Sequence, residues 1–108
     1  MEGKILFVEL RGCDFEQLNS EKKIREALSE IAKECKVRVL RTISHRFVPY
    51  GISAICIIAE SHIAIHSWPE DGYVSILIYT CGKTDPKEAL PAIKRIFKHS
   101  EISYKTIL

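Results

Sequence analysis

Apolar residues in this chain fall into six strand-like runs and two helical stripes. Lys4 to Leu10 is rich in strand formers and predicts a first strand, closed by a turn at Arg11-Gly12-Cys13-Asp14. From about Ser20 to Cys35, Ile24, Leu28, Ile31, Ala32 and Cys35 recur at helical spacing, with Asn19 or Ser20 placed to cap the helix. Val37 to Phe47 predicts a strand ended by Pro49-Tyr50-Gly51. Ile52 to Ala59, Ile63 to Ser67 and Val74 to Thr80 predict three more. Asp85-Pro86 opens a second helix, with Asp85 as cap and Leu90, Ile93, Ile96 and Phe97 as its buried stripe. Ile102 to Ile107 predicts a last strand.

This order predicts an α+β fold: a two-layer α/β sandwich with a mainly antiparallel sheet and two helices on one face. Runs such as Ile55-Cys56-Ile57-Ile58 and Ile76-Leu77-Ile78 are apolar on both faces. Helices cover only one of those faces. The other is expected to pack face to face against the sheet of a second copy, as a homodimer.

With 108 residues the chain is expected to form a single domain, 1–108, large enough to hold a core without staples. A hydrophobic content of 46% fits an ordinary globular protein. The net charge is only +2, and its cations are dispersed among acids, which argues against nucleic acid as a partner. Lys94, Arg95 and Lys98 come nearest to a basic cluster and read as the solvated face of a helix. No apolar run reaches the ~18 residues of a membrane span, and Met1-Glu2-Gly3-Lys4 leads directly into a strand, so neither membrane nor signal peptide is expected. The four cysteines, Cys13, Cys35, Cys56 and Cys81, include no Cys-x-x-Cys pair, a poor zinc or disulfide pattern that fits a reducing cytoplasm.

Polar chemistry is concentrated between Glu60 and Glu70. That stretch holds Ser61, His62, His66, the single tryptophan Trp68 and both carboxylates. Along a strand His62 and His66 share a face but stand ~13 Å apart, too far to chelate one ion, so no metal is expected. Ser61 lacks the Gly-x-Ser-x-Gly elbow of a serine hydrolase. Taken alone, Glu60-Ser61-His62 reads equally as a polar hairpin turn.

The wider context is more specific. His45-Arg46-Phe47-Val48-Pro49-Tyr50-Gly51-Ile52-Ser53 is followed by Glu60-Ser61-His62-Ile63, then Ile65-His66-Ser67-Trp68-Pro69-Glu70-Asp71-Gly72-Tyr73, then Tyr79-Thr80-Cys81-Gly82. These motifs, in register, resemble the prokaryotic S-adenosylmethionine decarboxylases of the short, pyruvoyl-dependent type. The resemblance covers nearly the whole chain and is densest from His45 to Gly82.

The resemblance implies a proenzyme that cuts itself between Glu60 and Ser61 into chains 1–60 and 61–108. Ser61 would attack the preceding carbonyl, and elimination and hydrolysis would leave a pyruvoyl group at position 61 and release ammonia. That group would be the cofactor, forming a Schiff base with S-adenosylmethionine and acting as electron sink when carbon dioxide leaves. Cys81 matches the proton donor, a role open to a thiol that is mostly protonated at neutral pH. His66 matches the processing base and Ser53 a hydroxyl supporting the same step. Phe47 matches an aromatic that stacks on adenine, with Trp68 beside it. Glu70 matches a carboxylate for the ribose hydroxyls. The implied setting is cytoplasmic spermidine synthesis.

Along a hairpin tipped by Glu60 and Ser61, Ser53 would lie ~23 Å and His66 ~16 Å from the cleavage site. Sites shared between protomers are therefore expected: Ser61 and Cys81 from one, Ser53, His66, Phe47 and Glu70 from the other. Three positions depart from the family pattern: Ile5 in place of a histidine, Leu77 in place of an acid, and Asp71 in place of an aromatic. Arginine decarboxylation by the same chemistry is the nearest alternative, though arginine has no adenine or ribose for Phe47 and Glu70 to hold. A non-catalytic adenosyl-binding dimer is the other.

Overall fold

The computed structural model describes residues 2–108. Six strands form one sheet: β1 (Gly3–Arg11), β2 (Arg38–Arg46), β3 (Ile52–Ala59), β4 (Ser61–Trp68), β5 (Tyr73–Cys81) and β6 (Glu101–Ile107). Their spatial order is β2-β3-β4-β5-β1-β6, and every neighbouring pair is antiparallel. Strands β2 to β5 are a meander, as their short connections require. Strand β1 is inserted between β5 and β6, so the two ends of the chain complete the sheet together.

Helix α1 (Phe15–Leu18) is one turn long, α2 (Glu21–Glu34) is the main helix, and α3 (Leu90–Ile96) follows a 3₁₀ turn at Pro86–Ala89. Ser20 caps α2, its hydroxyl accepting from Lys23 N–H at 3.1 Å. Asn19 serves elsewhere. Its side-chain oxygen accepts from Gly51 N–H at 3.2 Å, tying the loop after β2 to the helix layer. Asp85 caps the turn before α3 through Lys87 N–H.

All three helices lie in one layer. Ile24, Leu28 and Ile31 of α2 and Ile93 of α3 bury against Leu6, Val8, Ile52, Ile58, Ile63, Ile65 and Ile76 of the sheet. Phe97, just past α3, is fully buried in the same core. Ser67 is the polar exception on this face. Its hydroxyl donates to Leu18 O at 2.7 Å and accepts from Ile52 N–H at 3.1 Å, joining α1 to β3 and β4.

The sheet's other face has no helix over it. Strand register lays its side chains in rows. The central row runs Ile43, Ile55, Ala64, Leu77, Phe7 across five strands and is apolar throughout. The next row runs His45, Ser53, His66, Ser75, Glu9 and is polar throughout. On the opposite side lies Arg41, Ile57, His62, Tyr79, Ile5. The expected sandwich is therefore present, with helices on one face and an open apolar band on the other.

Candidate active site

The sequence-predicted residues fall into two clusters at opposite ends of the β3–β4 hairpin: Ser53, His66 and Cys81 lie on the open face, whereas register places Ser61, paired with Ile58, on the helix-covered face. At the turn end, Ile58 pairs with Ser61 across the two residues Ala59 and Glu60. Ser61 has φ +143°, a conformation that side chains other than glycine rarely adopt and that costs about 1–3 kcal/mol. Strain thus sits on the residue that would be the nucleophile. Cys81 ends β5 beside it, and its thiol donates to the Glu60 carbonyl oxygen at 3.3 Å. The one carbonyl that Ser61 could attack is therefore already polarised by a hydrogen bond. A developing negative charge on that oxygen would strengthen it.

The other cysteines have different surroundings. Burial pushes the Cys13 and Cys35 thiols up to about 11 and raises that of Cys56. These three thiols stay protonated and unreactive near neutral pH. All four are free. Among the described residues no group of histidine, cysteine and acidic side chains is arranged to hold a metal ion.

At the far end, Ser53 and His66 are direct cross-strand partners, and Ser53 Oγ lies 2.7 Å from His66 Nδ1. A hydroxyl held on an imidazole nitrogen fixes the orientation of the ring. The two residues line an open cleft of about 300 Å³ together with Phe47, Tyr50, Trp68 and Glu70. Phe47 stands half exposed with His45 packed edge-on at 4.6 Å, leaving aromatic surface free for a flat ligand. Trp68 is 6.4 Å from the His66 ring and 5.2 Å from Tyr73. Tyr73 is held in turn. It donates to Glu9, and the Arg11 guanidinium lies 4.7 Å above its ring. Partial burial, and then the Glu9 carboxylate, raise the Tyr73 phenol above its usual range, keeping it a donor.

Five residue steps along β4 separate Ser61 from His66, about 16 Å at strand spacing. Register also corrects one expectation. Ser53 lies opposite His66, so its distance from Ser61 along the sheet is near that of His66 and not ~23 Å. Neither side chain spans that gap within one chain. A larger depression, about 710 Å³, lies on the helical side among Lys23, Lys94, Arg95 and Lys98, remote from both clusters.

Sequence reasoning missed Tyr73, Glu9, Arg11 and Tyr50. Tyr73 carried a signal: a short turn after Trp68 leads straight into β5, placing Tyr73 beside the indole. Glu9 and Arg11 are brought in only by the long-range pairing of β1 with β5 and carried none.

The fold and these clusters define a two-layer α+β protein whose strained serine and thiol face a single carbonyl. Comparison with known proteins narrows this to a family. The model of the S-adenosylmethionine decarboxylase family matches residues 4–108, and the chain belongs to that family. It is 42% identical over 103 residues to an S-adenosylmethionine decarboxylase proenzyme of Clostridium botulinum, covering 93% of this chain and 89% of that one. It is 37% identical to the proenzyme of the same name from Methanococcus aeolicus, covering 89% and 83%. Among solved structures, the adenosylmethionine decarboxylase of Aquifex aeolicus superposes with a TM-score of 0.84 at 30% identity, over 97% of this chain and 88% of that one. A Trypanosoma brucei AdoMetDC monomer shares the fold, with a TM-score of 0.70 at 21% identity over 94% of this chain and 44% of its own.

Proposed function

We propose that this chain is the proenzyme of a pyruvoyl-dependent S-adenosylmethionine decarboxylase that cleaves itself between Glu60 and Ser61. The observation that carries the reading is the contact of the Cys81 thiol with the Glu60 carbonyl, next to a strained Ser61. Ser61 Oγ attacks that carbonyl carbon, the C–N bond breaks, and an ester replaces the amide. Abstraction of the Ser61 α-proton then expels the Glu60 carboxylate, and hydrolysis of the resulting dehydroalanine gives a pyruvoyl group and ammonia. His66, oriented by Ser53, is the base for the abstraction. The products are chains 1–60 and 61–108.

The residues present fit such a group: Ser61 at a tight turn would generate it, and the Cys81 thiol contacts the carbonyl of the bond to be cut. When present, that group would supply a carbonyl for the substrate amine and an electron sink for the loss of carbon dioxide. The chain's own residues do the rest. Cys81 returns a proton to the substrate carbon. Phe47 and Trp68 stack on the adenine and face the sulfonium, and Glu70 receives the ribose hydroxyls. The aromatic cleft with a carboxylate at its rim favours a nucleoside over arginine.

Because His66 and Ser61 of one chain are separated by about 16 Å, the working site needs two protomers. Two open faces packed about the central row Ile43, Ile55, Ala64, Leu77, Phe7 would bury the apolar band. A two-fold axis crossing β4 near Ala64 brings His66 of one protomer opposite Ser61 of its partner. Each dimer then has two sites. Each takes Ser61 and Cys81 from one chain and Ser53, His66, Phe47 and Glu70 from the other. Among the described residues no helix is long and apolar enough to cross a membrane.

Intact mass under denaturing conditions tests the reading. Two fragments are expected, the C-terminal one lighter by ammonia than a serine-started chain. A single full-length mass that persists on incubation would overturn it.

A further inference from the structure

His62 takes no part in the mechanism above, yet register sets it beside the thiol. His62 is paired with Tyr79, and Cys81 is the next residue of β5 on the same face. Diagonal neighbours of this kind have Cβ atoms about 7–8 Å apart or slightly less, within reach of an imidazole directly or through one water. Tyr79 packs edge-on against His62, with ring centroids 5.8 Å apart. Tyr79 itself lies over Gly3, where any Cβ would collide with its ring. This stack limits how far the imidazole can swing. Its ring nitrogens meet no side-chain hydrogen-bond partner among the described residues.

We propose that His62 is a positioning residue that holds the Cys81 thiol and resupplies its proton during decarboxylation. The proposal rests on the decarboxylase reading and extends it. In the uncleaved chain the thiol is engaged by the Glu60 carbonyl. Cleavage turns that acceptor into the free C-terminus of the first chain, and the thiol is left to a new partner. When Cys81 gives its proton to the substrate carbon, a thiolate remains. His62 in its protonated form transfers N–H to sulfur and recovers a proton from water. The net change is one proton in place of one carbon dioxide, with no oxidant or reductant. The other groups facing this pair are Tyr79 on β5, Glu60 in the turn, and Arg41 on β2 beyond Ile57. Glu2 and Lys83 flank the contact between Gly82 N–H and Glu2 O.

The test is the pH profile of Cys81 alkylation by iodoacetamide, resolved by peptide mass, in the processed protein and its His62→Asn variant. Pairing with an imidazole makes the thiol reactive below its own titration. At pH 6.5, His62→Asn is expected to slow Cys81 alkylation roughly tenfold. The same variant is expected to lower kcat with little change in KM. Superimposable Cys81 profiles would overturn the proposal. If His62→Asn does not cleave, the processed parent is compared with the uncleaved Ser61→Ala chain, in which the Glu60 carbonyl still holds the thiol: faster Cys81 alkylation at pH 6.5 after cleavage is expected, and equal rates would overturn the proposal. A parent chain that never cleaves would overturn the decarboxylase reading and this proposal with it, whereas superimposable profiles in a cleaved chain would overturn the proposal alone.

Discussion

At the scale of single residues, the site relies on side chains whose surroundings restrict each to one role. Ser53 and Ser67 are both strand hydroxyls, yet their partners differ. Ser53 faces outward and holds His66, whereas Ser67 faces inward and joins α1 to β3. Ser67→Ala removes the acceptor of Ile52 N–H and the donor to Leu18 O in a dry setting. A loss of about 1–3 kcal/mol is expected, read as a lower urea midpoint at unchanged slope. Ser53→Ala leaves the fold alone and frees the His66 ring. It is expected to slow appearance of the two fragments by about 10²-fold or more, followed by mass against time. The sequence singled out Ser53, His66 and Cys81 because they recur within a family pattern. It could not distinguish their contacts, because a hydrogen bond between strands depends on register. Ser67, a structural link, stood inside the same motif with nothing in its neighbours to separate it from the catalytic set.

At the scale of elements, periodicity carried most of the information. The α2 stripe and the strand runs persist in the fold because each has one face that must leave water. Helix α2 and all six strands begin and end close to their expected bounds, whereas the helix expected to open at Asp85-Pro86 starts as a 3₁₀ turn and becomes α-helical only at Leu90. The one-turn α1 was not legible. A helix of four residues has no period to detect, and this one exists because Asp14 caps it and Leu18 is buried beneath it. The inserted position of β1 was equally hidden, since no local signal states which strand a terminal segment will join. Helix α2 also gives a measurable expectation. Leu28 is buried between α2 and the sheet, so Leu28→Ala should cost about 2–5 kcal/mol. Ser20→Ala, which removes only the cap, should cost about 1 kcal/mol. Thermal melts of the two variants should keep that order.

At the scale of the whole molecule, one open face carries an apolar band with the Ser53–His66 pair toward one end and the Cys81 thiol at the other. Apolar residues on both faces of the strands made the need for a cover legible. The row structure, with polar residues aligned beside the apolar row, emerges only from register. Ile55 lies in the central apolar row, so Ile55→Lys is expected to yield a monomer by light scattering with an unchanged far-UV spectrum. Complementation provides the stronger test. Ser61→Ala and His66→Ala chains should each fail to cleave when made alone. Made together, half of the random dimers contain one of each. In such a dimer one site combines both defects, and the other joins the intact Ser61 of the His66→Ala chain to the intact His66 of its companion. About a quarter of all sites should therefore cleave, and every cleaved chain should be a His66→Ala chain, identified by its mass. A site built within one chain predicts no cleavage in the mixture. The alanine in the cleaved product thus reports which protomer supplied the base, independently of any measurement of assembly.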